Sequence, residues 1–269
     1  MTTLKLNLQS NIPLEAGTIT PDQFQDKSPG QIAKLPVVFG NEPFELGDFF
    51  TVDADGSNDI ILKGDASRVK HIGEGMTKGN IIVEGNAGMH LGAGMRGGFI
   101  RVEGNAGDWA GAEMAGGLIL IKGNAGHALG GAYRGSRRGM TRGRILVNGN
   151  AGNETGSLMR RGLIAVGGST GEFTGCFMIA GTVIVFGQLG ARPGPGMKHG
   201  TLITFQTPEL LPTFRYACTY QPGFLGLILQ SLRSQGVPVV DEYLTGRYRR
   251  YSGDFTALGK GEILVYDQH

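Results

Sequence analysis

The chain has 269 residues, of which 40% are apolar, and it carries a formal net charge of +2. This apolar content excludes a disordered polymer, and the weak charge provides no general attraction to nucleic acid or to a membrane. Its two cysteines are too few for a disulfide framework, and no apolar run reaches the ~18 residues of a spanning helix. We therefore expect a cytoplasmic protein with no nucleic-acid or membrane partner.

Residues 1–59 differ in composition from the rest of the chain and contain signals for one strand and one helix. Alternating apolar residues predict the strand: Leu4, Leu6 and Leu8. The stretch Ser28-Pro29-Gly30-Gln31 is typical of a helix start, because serine caps free N–H groups and proline fits the first helical position. We expect Ile32 and Leu35 to face inward from this helix.

Residues 60–205 repeat a unit of 19 residues, made of a short apolar run, a glycine and, in most units, Asn-Ala-Gly. The glycine that ends each run marks the repeat, and the markers are Gly64, Gly85, Gly104, Gly123, Gly149, Gly168 and Gly187. Two steps are longer, at 21 and 26 residues, because they hold insertions of 2 and 7 residues. A constant period of this length is typical of a stacked repeat fold.

Residues two and four positions before each marker are aliphatic, which predicts strands with one buried face. The pairs are Ile60/Leu62, Ile81/Val83, Ile100/Val102, Ile119/Ile121, Ile145/Val147, Ile164/Val166 and Val183/Val185, with an eighth pair at Leu202/Thr204. Seven methionines form a second column, which we interpret as core rather than as metal ligands: Met76, Met95, Met114, Met140, Met159, Met178 and Met197.

Three further columns lie beside the buried one. Asparagines follow four markers, and we interpret them as a hydrogen-bonded ladder at a sharp turn that needs positive φ: Asn86, Asn105, Asn124 and Asn150. One position before the markers, charges form a ladder that we expect to be solvated: Lys63, Glu84, Glu103 and Lys122. Three positions before the markers, a mostly apolar outward stripe needs cover from the terminal segments or from another protein chain: Ile61, Ile82, Arg101, Leu120, Leu146, Ala165 and Ile184.

Together these columns predict an all-β fold, a right-handed parallel β-helix of about eight coils that spans roughly 35 Å. Residues 206–269 contain one helix, at about 223–235, with Leu225, Leu229 and Leu232 on one face and Gly236 as its stop. We expect residues 1–59 and 206–269 to form small α+β caps on the 60–205 coil, because end coils otherwise expose unpaired strand edges.

The chain shows no catalytic motif. Residues 92–97 fit the dinucleotide fingerprint, but this match arises from the repeat and no helix is predicted after it. The histidines lack metal-ligand spacing and no CxxC pair exists, so we predict no metal site, and Cys176 is assigned to the core. Asp108 and Glu113 remain candidates for a carboxylate pair of the kind that β-helical sugar enzymes use.

The longer insertion lies in the segment Tyr133–Arg144, YRGSRRGMTRGR, which is rich in arginine. Together with Arg160 and Arg161 of the next repeat, this segment contains seven arginines, and the only acidic residue among them is Glu154. Two interpretations stand: a solvated or partner-contacting face, and a polyanion groove, since guanidinium groups suit carboxylates and phosphates. Arg144 is the seventh arginine, and the six candidate polyanion-binding residues are Arg134, Arg137, Arg138, Arg142, Arg160 and Arg161.

The repeated GxIxVxGNAGxxxGxxM unit resembles the GXGXG domain of the glutamate synthase large subunit. Over nearly its whole length the chain more closely resembles the C subunit of formylmethanofuran dehydrogenase and of its bacterial relative, the formyltransferase/hydrolase complex. The amino-terminal stretch ITPDQFQDKSPGQIAKLPVVFGNEPFELGDFF at 19–50 is part of this second resemblance and would be absent from the glutamate synthase domain.

The resemblance implies a non-catalytic scaffold in a four-subunit complex of one-carbon metabolism. The implied partners are a formyltransferase subunit, an amidohydrolase-like subunit and a molybdopterin-enzyme-like subunit, which carry the catalytic metals. The implied carrier of the formyl group is methanofuran or methylofuran, which has a polyglutamate tail, and no cofactor is expected on this chain. We hypothesise that the arginine cluster holds that tail, and the mildly basic charge favours the bacterial complex.

Three alternatives remain open at this point. The chain could be a glutamate-synthase-like module of ammonia assimilation, although its amino-terminal segment argues against this. It could be a carbohydrate-active β-helical enzyme, which would use surface acids such as Asp108 and Glu113. It could also be an assembly protein of some other complex.

Overall fold

The computed structural model describes residues 1–8, 10–54, 57 and 59–268, which are mostly β-structure. The strands are β1 Thr2–Leu6, β2 Leu14–Glu15, β3 Pro36–Phe39, β4 Glu42–Glu45, β5 Phe50–Asp53, β6 Ile60–Lys63, β7 Val69–Lys70, β8 Asn80–Val83, β9 Phe99–Val102, β10 Ala115–Ile121, β11 Arg142–Val147, β12 Leu163–Val166, β13 Thr182–Val185, β14 Thr201–Thr204, β15 Arg215–Tyr220, β16 Tyr248–Gly253 and β17 Gly261–Tyr266. The α-helices are α1 Pro21–Phe24, α2 Pro29–Ala33, α3 Gly223–Arg233 and α4 Asp241–Thr245.

Strands from successive repeats lie side by side in one 13-stranded sheet, in the order β15-β16-β17-β14-β13-β12-β11-β10-β9-β8-β6-β1-β5. In this order, the strands between β17 and β1 all pair with their neighbours in parallel. At the two ends of the sheet, β15, β16 and β5 pair in antiparallel fashion. Equivalent residues face each other in register, as Ile100 faces Ile119 and Ile119 faces Ile145. The 7-residue insertion is therefore accommodated outside the sheet.

The prediction of a right-handed parallel β-helix of about eight coils is wrong, as is the description of the fold as all-β. Each repeat contributes one strand to a single sheet, and the rest of the repeat consists mainly of turns. Adjacent turns are joined by single parallel bridges along one column: Ala66, Ala87, Ala106, Ala125, Ala151 and Thr170. The physical reason is the backbone after each bridge, where residues at positive φ interrupt the extended conformation that further strands would need.

The predicted inner face of the sheet is confirmed as the main core. All eight predicted pairs are buried, including Thr204 of the last pair, and the seven column methionines are each at most 1% exposed. The methionines lie beneath the turns and contact the next layer, since a Cβ on Gly117 would lie 2.5 Å from the Met95 Cε. Flexible thioethers fill the space between layers that the β-branched residues leave.

The outward apolar stripe is covered in part by the carboxy-terminal segment. Leu146, Ala165 and Ile184 are at most 1% exposed, and they belong to a second core cluster with the buried face of α3. That face is the predicted one: Leu225, Leu229 and Leu232. Ile61 and Ile82, at the other end of the stripe, are half-buried and lie outside this cluster. The terminal segment thus covers one half of the stripe.

The amino-terminal elements follow the sequence prediction closely. Strand β1 contains Leu4, which is fully buried and pairs with Leu62 of the first repeat strand. Helix α2 begins after Ser28, whose hydroxyl accepts the N–H of Gln31 while the Gln31 side chain accepts the N–H of Ser28.

In the carboxy-terminal segment, helix α3 ends two residues before its predicted end, and Gly236 after it has φ of +88°.

The asparagine ladder is present, but its geometry differs from the prediction. The Asn86 Oδ1 accepts the backbone N–H of Asn105 at 2.9 Å, and the Asn105 Oδ1 accepts that of Asn124 at 2.7 Å. These asparagines do not have positive φ. The marker Gly104 is needed for close approach instead, because a Cβ there would lie 2.5 Å from the Asn86 Oδ1 and 2.9 Å from the Gly85 carbonyl oxygen.

Candidate functional site: the turn edge and the arginine insertion

One edge of the stack consists of residues in the left-handed region, which we call the turn edge. Its members occupy one position per repeat, five residues after most markers, with φ between 55° and 65°: His71, His90, Trp109, Ala128, Glu154, Phe173 and Arg192. Residues other than glycine adopt this backbone conformation at a cost of about 1 kcal/mol each. The turn edge therefore projects a row of unlike side chains from a constant backbone.

Aromatic rings of the turn edge stack along the axis of the sheet. The His71 and His90 ring centroids are 4.6 Å apart, and those of His90 and Trp109 are 5.5 Å apart, with interplanar angles of 15° and 16°. Farther along, the Arg192 guanidinium carbon lies 4.4 Å from the centroid of the Phe173 ring and the group also pairs with Glu172. Stacking follows from the layer spacing, which brings equivalent side chains into van der Waals contact.

The arginine-rich insertion is fastened to the turn edge by Tyr133. Its backbone N–H donates to the Glu113 Oε1 at 3.2 Å, and its hydroxyl lies 2.9 Å from the His90 Nδ1. Burial, followed by the charge of His71, lowers the pKa of His90 to about 4. Burial, followed by the charge of Glu74, raises the pKa of Tyr133 to about 12. At neutral pH this hydrogen bond therefore joins a neutral imidazole and a neutral phenol.

All six candidate arginines are exposed, and in the described ranges none of them forms an ion pair. Arg137 and Arg138 line a cavity of about 360 Å³ together with Glu113, Ser136, Gly139 and Thr141. The structure sets Arg144 apart, because its Nη1 donates to the Ser231 hydroxyl of α3 at 3.3 Å on the other side of the sheet.

The remaining arginines lie in adjacent layers next to the methionine column. The backbone N–H groups of Arg160 and Arg161 both donate to the carbonyl oxygen of Met140, at 2.9 and 3.3 Å. Arg142 follows Met140 by two residues, as Arg161 follows Met159, so these two arginines occupy equivalent positions one layer apart. Stacking thus places arginines from two separate parts of the sequence in adjacent layers.

A cavity of about 430 Å³ lies between the insertion and the turn edge. Its lining is mostly apolar: Ala132, Tyr133, Arg134, Gly135, Ser136, Glu154, Ser157, Leu158, Phe173, Cys176, Phe177 and Pro195. Cys176 is buried, as predicted, and burial raises the pKa of its thiol to about 12, which leaves it an unreactive thiol at neutral pH. A third cavity, of about 270 Å³, shares Arg134 with this one and reaches Trp109 and His127.

The other candidate motifs have structural roles. The Asp108 Oδ1 accepts the His127 N–H at 2.7 Å, and Glu113 holds Tyr133, so both candidate carboxylates support neighbouring layers. Residues 92–97 form turns that lead into β9, with no helix after them. Across the part of the chain that the structure describes, no group of three His, Cys, Asp or Glu side chains could hold a metal ion. Nor does that part contain a helix long and apolar enough to cross a membrane.

Sequence reasoning missed the aromatic character of this region. Trp109, Tyr133 and the pair Phe173 and Phe177 come from three different repeats, but all of them line the cavities around the insertion. A signal is present in the repeat, because His71, His90, Trp109 and Phe173 occupy the same column. The signal is weak, since the residues of that column have no common chemical type.

Comparison with known proteins relates this arrangement to one family. A chain from the X-ray crystal structure of the formyltransferase/hydrolase complex of Methylorubrum extorquens with methylofuran superposes with a TM-score of 0.92 and 39% identity. The match covers 99% of this chain and 100% of that one. The C subunit of tungsten-containing formylmethanofuran dehydrogenase 2 from Methanothermobacter marburgensis is 45% identical over 86 residues. The chain belongs to the family of formylmethanofuran dehydrogenase C subunits.

The similarity to the formylmethanofuran dehydrogenase subunits is more local. The match to the Methanothermobacter marburgensis protein covers 30% of this chain and 32% of the relative. The C subunit of molybdenum-containing formylmethanofuran dehydrogenase 1 from Methanosarcina barkeri is 46% identical over 84 residues, which is 29% of this chain and 28% of the relative. The chain thus spans less than a third of the length of these curated relatives. No family model matches it.

Proposed function

We propose that this chain is the non-catalytic scaffold subunit of a cytoplasmic formyltransferase/hydrolase complex in one-carbon metabolism. The observation that carries the proposal is the end-to-end similarity to one chain of such a complex, at 39% identity and a TM-score of 0.92. Similarity over both full lengths favours the hydrolase type of complex over the metal-dependent dehydrogenase, whose C subunit aligns over less than a third of its length.

The proposed partners are a formyltransferase subunit, an amidohydrolase-like subunit and a subunit similar to molybdopterin enzymes. The catalytic metals would lie on these partners, and the formyl group would travel on a methylofuran-type carrier. The inner face of the sheet supports a scaffold role, since its aliphatic and methionine columns form one buried core cluster with no titratable side chain among its buried members.

Exposed apolar side chains at separate places provide surfaces for several partners. On α3, Leu227 is 73% exposed, whereas Leu225 and Leu229 on the opposite side are buried. Phe255 and Leu258, in the loop between β16 and β17, are each more than half exposed. Apolar side chains that remain exposed in clusters commonly mark contacts with other proteins.

A purification experiment tests the scaffold proposal. We expect a tagged chain to purify from its host with three further subunits in fixed stoichiometry, identified by mass spectrometry. Leu227→Asp should release at least one of them, because a carboxylate cannot be desolvated in an apolar contact without a partner. Asp241→Asn on α4 is the control for a charge change nearby. A chain that purifies alone, or with enzymes of another process, contradicts the proposal.

The arginine cluster is proposed to hold the polyglutamate tail of the carrier. Six exposed guanidinium groups without carboxylate partners in the described ranges leave their hydrogen-bond donors available to an external polyanion. In the assembled complex, Arg137→Ala with Arg138→Ala should raise the KM for the carrier while kcat stays within about twofold, because binding and not chemistry is altered.

The matched control for this experiment is Arg68→Ala with Arg215→Ala, which removes two exposed arginines outside the cluster. The increase in KM should shrink as salt is added, since screening weakens contacts between exposed charges. Equal KM values for the cluster variant and the control variant would remove the tail-binding role and leave the scaffold role unaffected.

A further inference from the structure

Phe177 and Leu158 occupy a left-handed backbone position at which other repeats have glycine or, in one repeat, Glu113. Both have positive φ, of 53° and 54°, and three other repeats place Gly75, Gly94 and Gly196 at the equivalent position. Phe177 is nevertheless 59% exposed, so its ring is only partly desolvated. A strained backbone under an exposed aromatic ring reduces stability, and such residues concentrate at binding sites.

The two residues form walls shared by adjoining cavities. Phe177 lies across Gly196, where an added Cβ would come within 2.6 Å of the Phe177 Cδ1. On one side is the apolar cavity of about 430 Å³ with Tyr133 and Phe173. On the other side a cavity of about 330 Å³ shares Ser136, Leu158 and Phe177, and it adds Arg137, Ile179 and Lys198.

The groove becomes cationic with distance from the apolar cavity. A third cavity along the groove, of about 360 Å³, shares Ser136 and Arg137 with the second cavity, and it adds Arg138 and the carboxylate of Glu113, which already accepts the Tyr133 N–H. An apolar group bound in the first cavity would therefore be followed by two arginines and a lysine along the surface. This order of chemistries fits a ligand with an apolar group at one end and carboxylates along the rest of its length.

We infer that the groove from Tyr133 to Arg138 binds a small oligocarboxylate by its apolar end, with the end group held between Phe173 and Phe177. The inference rests on the proposed carboxylate-binding role of the arginines and adds to it a specific subsite. A cavity of this size encloses a single ring, and burying one ring contributes on the order of a tenfold gain in affinity.

Synthetic peptides provide the probes for titration of the full chain by calorimetry at low salt. The three peptides carry five glutamates preceded by phenylalanine, by alanine or by a sixth glutamate. We expect the phenylalanine peptide to bind the wild-type chain about tenfold more tightly than the alanine peptide. Phe177→Gly should abolish this difference, because it removes one wall while placing glycine where three repeats already have it.

Two controls separate the end-group subsite from carboxylate binding. Leu227→Ala removes an exposed apolar side chain of α3 and should leave the tenfold preference intact. Arg137→Ala with Arg138→Ala should weaken all three peptides and preserve their ratio. Equal affinity of the phenylalanine and alanine peptides for the wild-type chain overturns the inference, as does a preference that persists in Phe177→Gly.

The outcomes also distinguish this inference from the proposed tail-binding role. Binding of all three peptides without an end-group preference leaves the arginine role standing and refutes the subsite alone. Failure of every peptide to bind refutes both. A preference seen with the isolated chain and lost in the assembled complex would assign the cavity to a segment of a partner protein, which contradicts a small-molecule occupant.

Discussion

The inner column and the turn edge of the same repeats obey opposite rules. At the inner positions every layer has an aliphatic residue or methionine, and all of them are buried. At the turn edge, successive layers have histidine, tryptophan, alanine, glutamate, phenylalanine and arginine on almost identical backbones. Burial restricts the inner column, because each side chain contacts the layers above and below. The turn edge needs only a backbone conformation, so its side chains can vary in chemistry.

The largest expected loss of stability comes from the inner column. Ile145 is fully buried, and its Cδ1 contacts the turns of two other layers at Gly111 and Gly130. Ile145→Ala should lower the free energy of unfolding by about 3 kcal/mol, because it leaves a cavity that the layered core cannot close. Urea denaturation measures this loss. Ile82→Ala, on the half-buried outward side, should cost less than half as much, and equal losses would contradict the proposed difference.

The second prediction compares two glycines that the fold needs for different reasons. Gly104→Ala should cost about 2 kcal/mol of unfolding free energy, because its Cβ would clash with the Asn86 Oδ1 and the Gly85 carbonyl oxygen. Gly94 has φ of +63° with no atom within 4 Å of an added Cβ, so Gly94→Ala should cost only the strain, about 1 kcal/mol. Thermal or urea unfolding of both variants would show the ranking, and its reversal would refute the close-approach explanation.

The third prediction concerns pH and the fastening of the insertion. The pKa of His90 falls to about 4 in the fold, from an ordinary value of about 6.5. Between these two values the unfolded chain binds the proton more readily, so this contribution to stability is complete above pH 6.5 and lost as pH falls toward 4. We expect a loss of the order of 1 kcal/mol, after allowance for partial exposure of the ring.

Urea midpoints measured from about pH 4 to about pH 7 test this contribution. His90→Phe should flatten the dependence over that range, and Phe173 shows that phenylalanine fits the same backbone conformation in another layer. His199→Phe, at an exposed histidine outside the turn edge, is the matched control and should follow the wild type. A variant curve with the wild-type slope would exclude His90 as the cause.

The smallest effect is expected where the backbone is strained. Phe177→Gly should change the free energy of unfolding by less than about 0.5 kcal/mol, because lost contacts of a mostly exposed ring are offset by relief of positive-φ strain. Differential scanning calorimetry at one pH suffices for the measurement. A loss as large as that of Ile145→Ala would mean that Phe177 is part of the core after all.

Much of the local structure followed from the sequence because one pattern was repeated many times. Buried pairs, the methionine column, the helix capped by Ser28 and the apolar face of α3 were all predicted correctly. The division into 1–59, 60–205 and 206–269 remains a prediction. The prediction of a β-helix was wrong, because apolar alternation in one short run per repeat does not determine the backbone conformation of the remaining residues. The prediction of positive φ at the asparagines was wrong. The adjacent marker glycines are needed because the backbones of neighbouring layers approach closely there, and not because the chain turns sharply.

The candidate site was predictable only in its charge. The insertion and its arginines stand out in the sequence, but Arg144 proved to contact α3 instead of the cluster. The apolar cavity beside the arginines combines residues from four layers, among them Tyr133, Leu158, Phe173 and Pro195. No short stretch of sequence contains this combination, so neither composition nor spacing could reveal it.

The sequence by itself determined the repeat, its register and the buried face, because a period of 19 residues forces equivalent side chains to stack and only apolar ones can be desolvated there. The tertiary structure alone decided that each repeat supplies one strand to one sheet and that α3 covers half of the outer stripe. It also placed an aromatic turn edge against the arginine insertion. Those features depend on contacts between residues distant in the chain, whose free energies are absent from any local pattern.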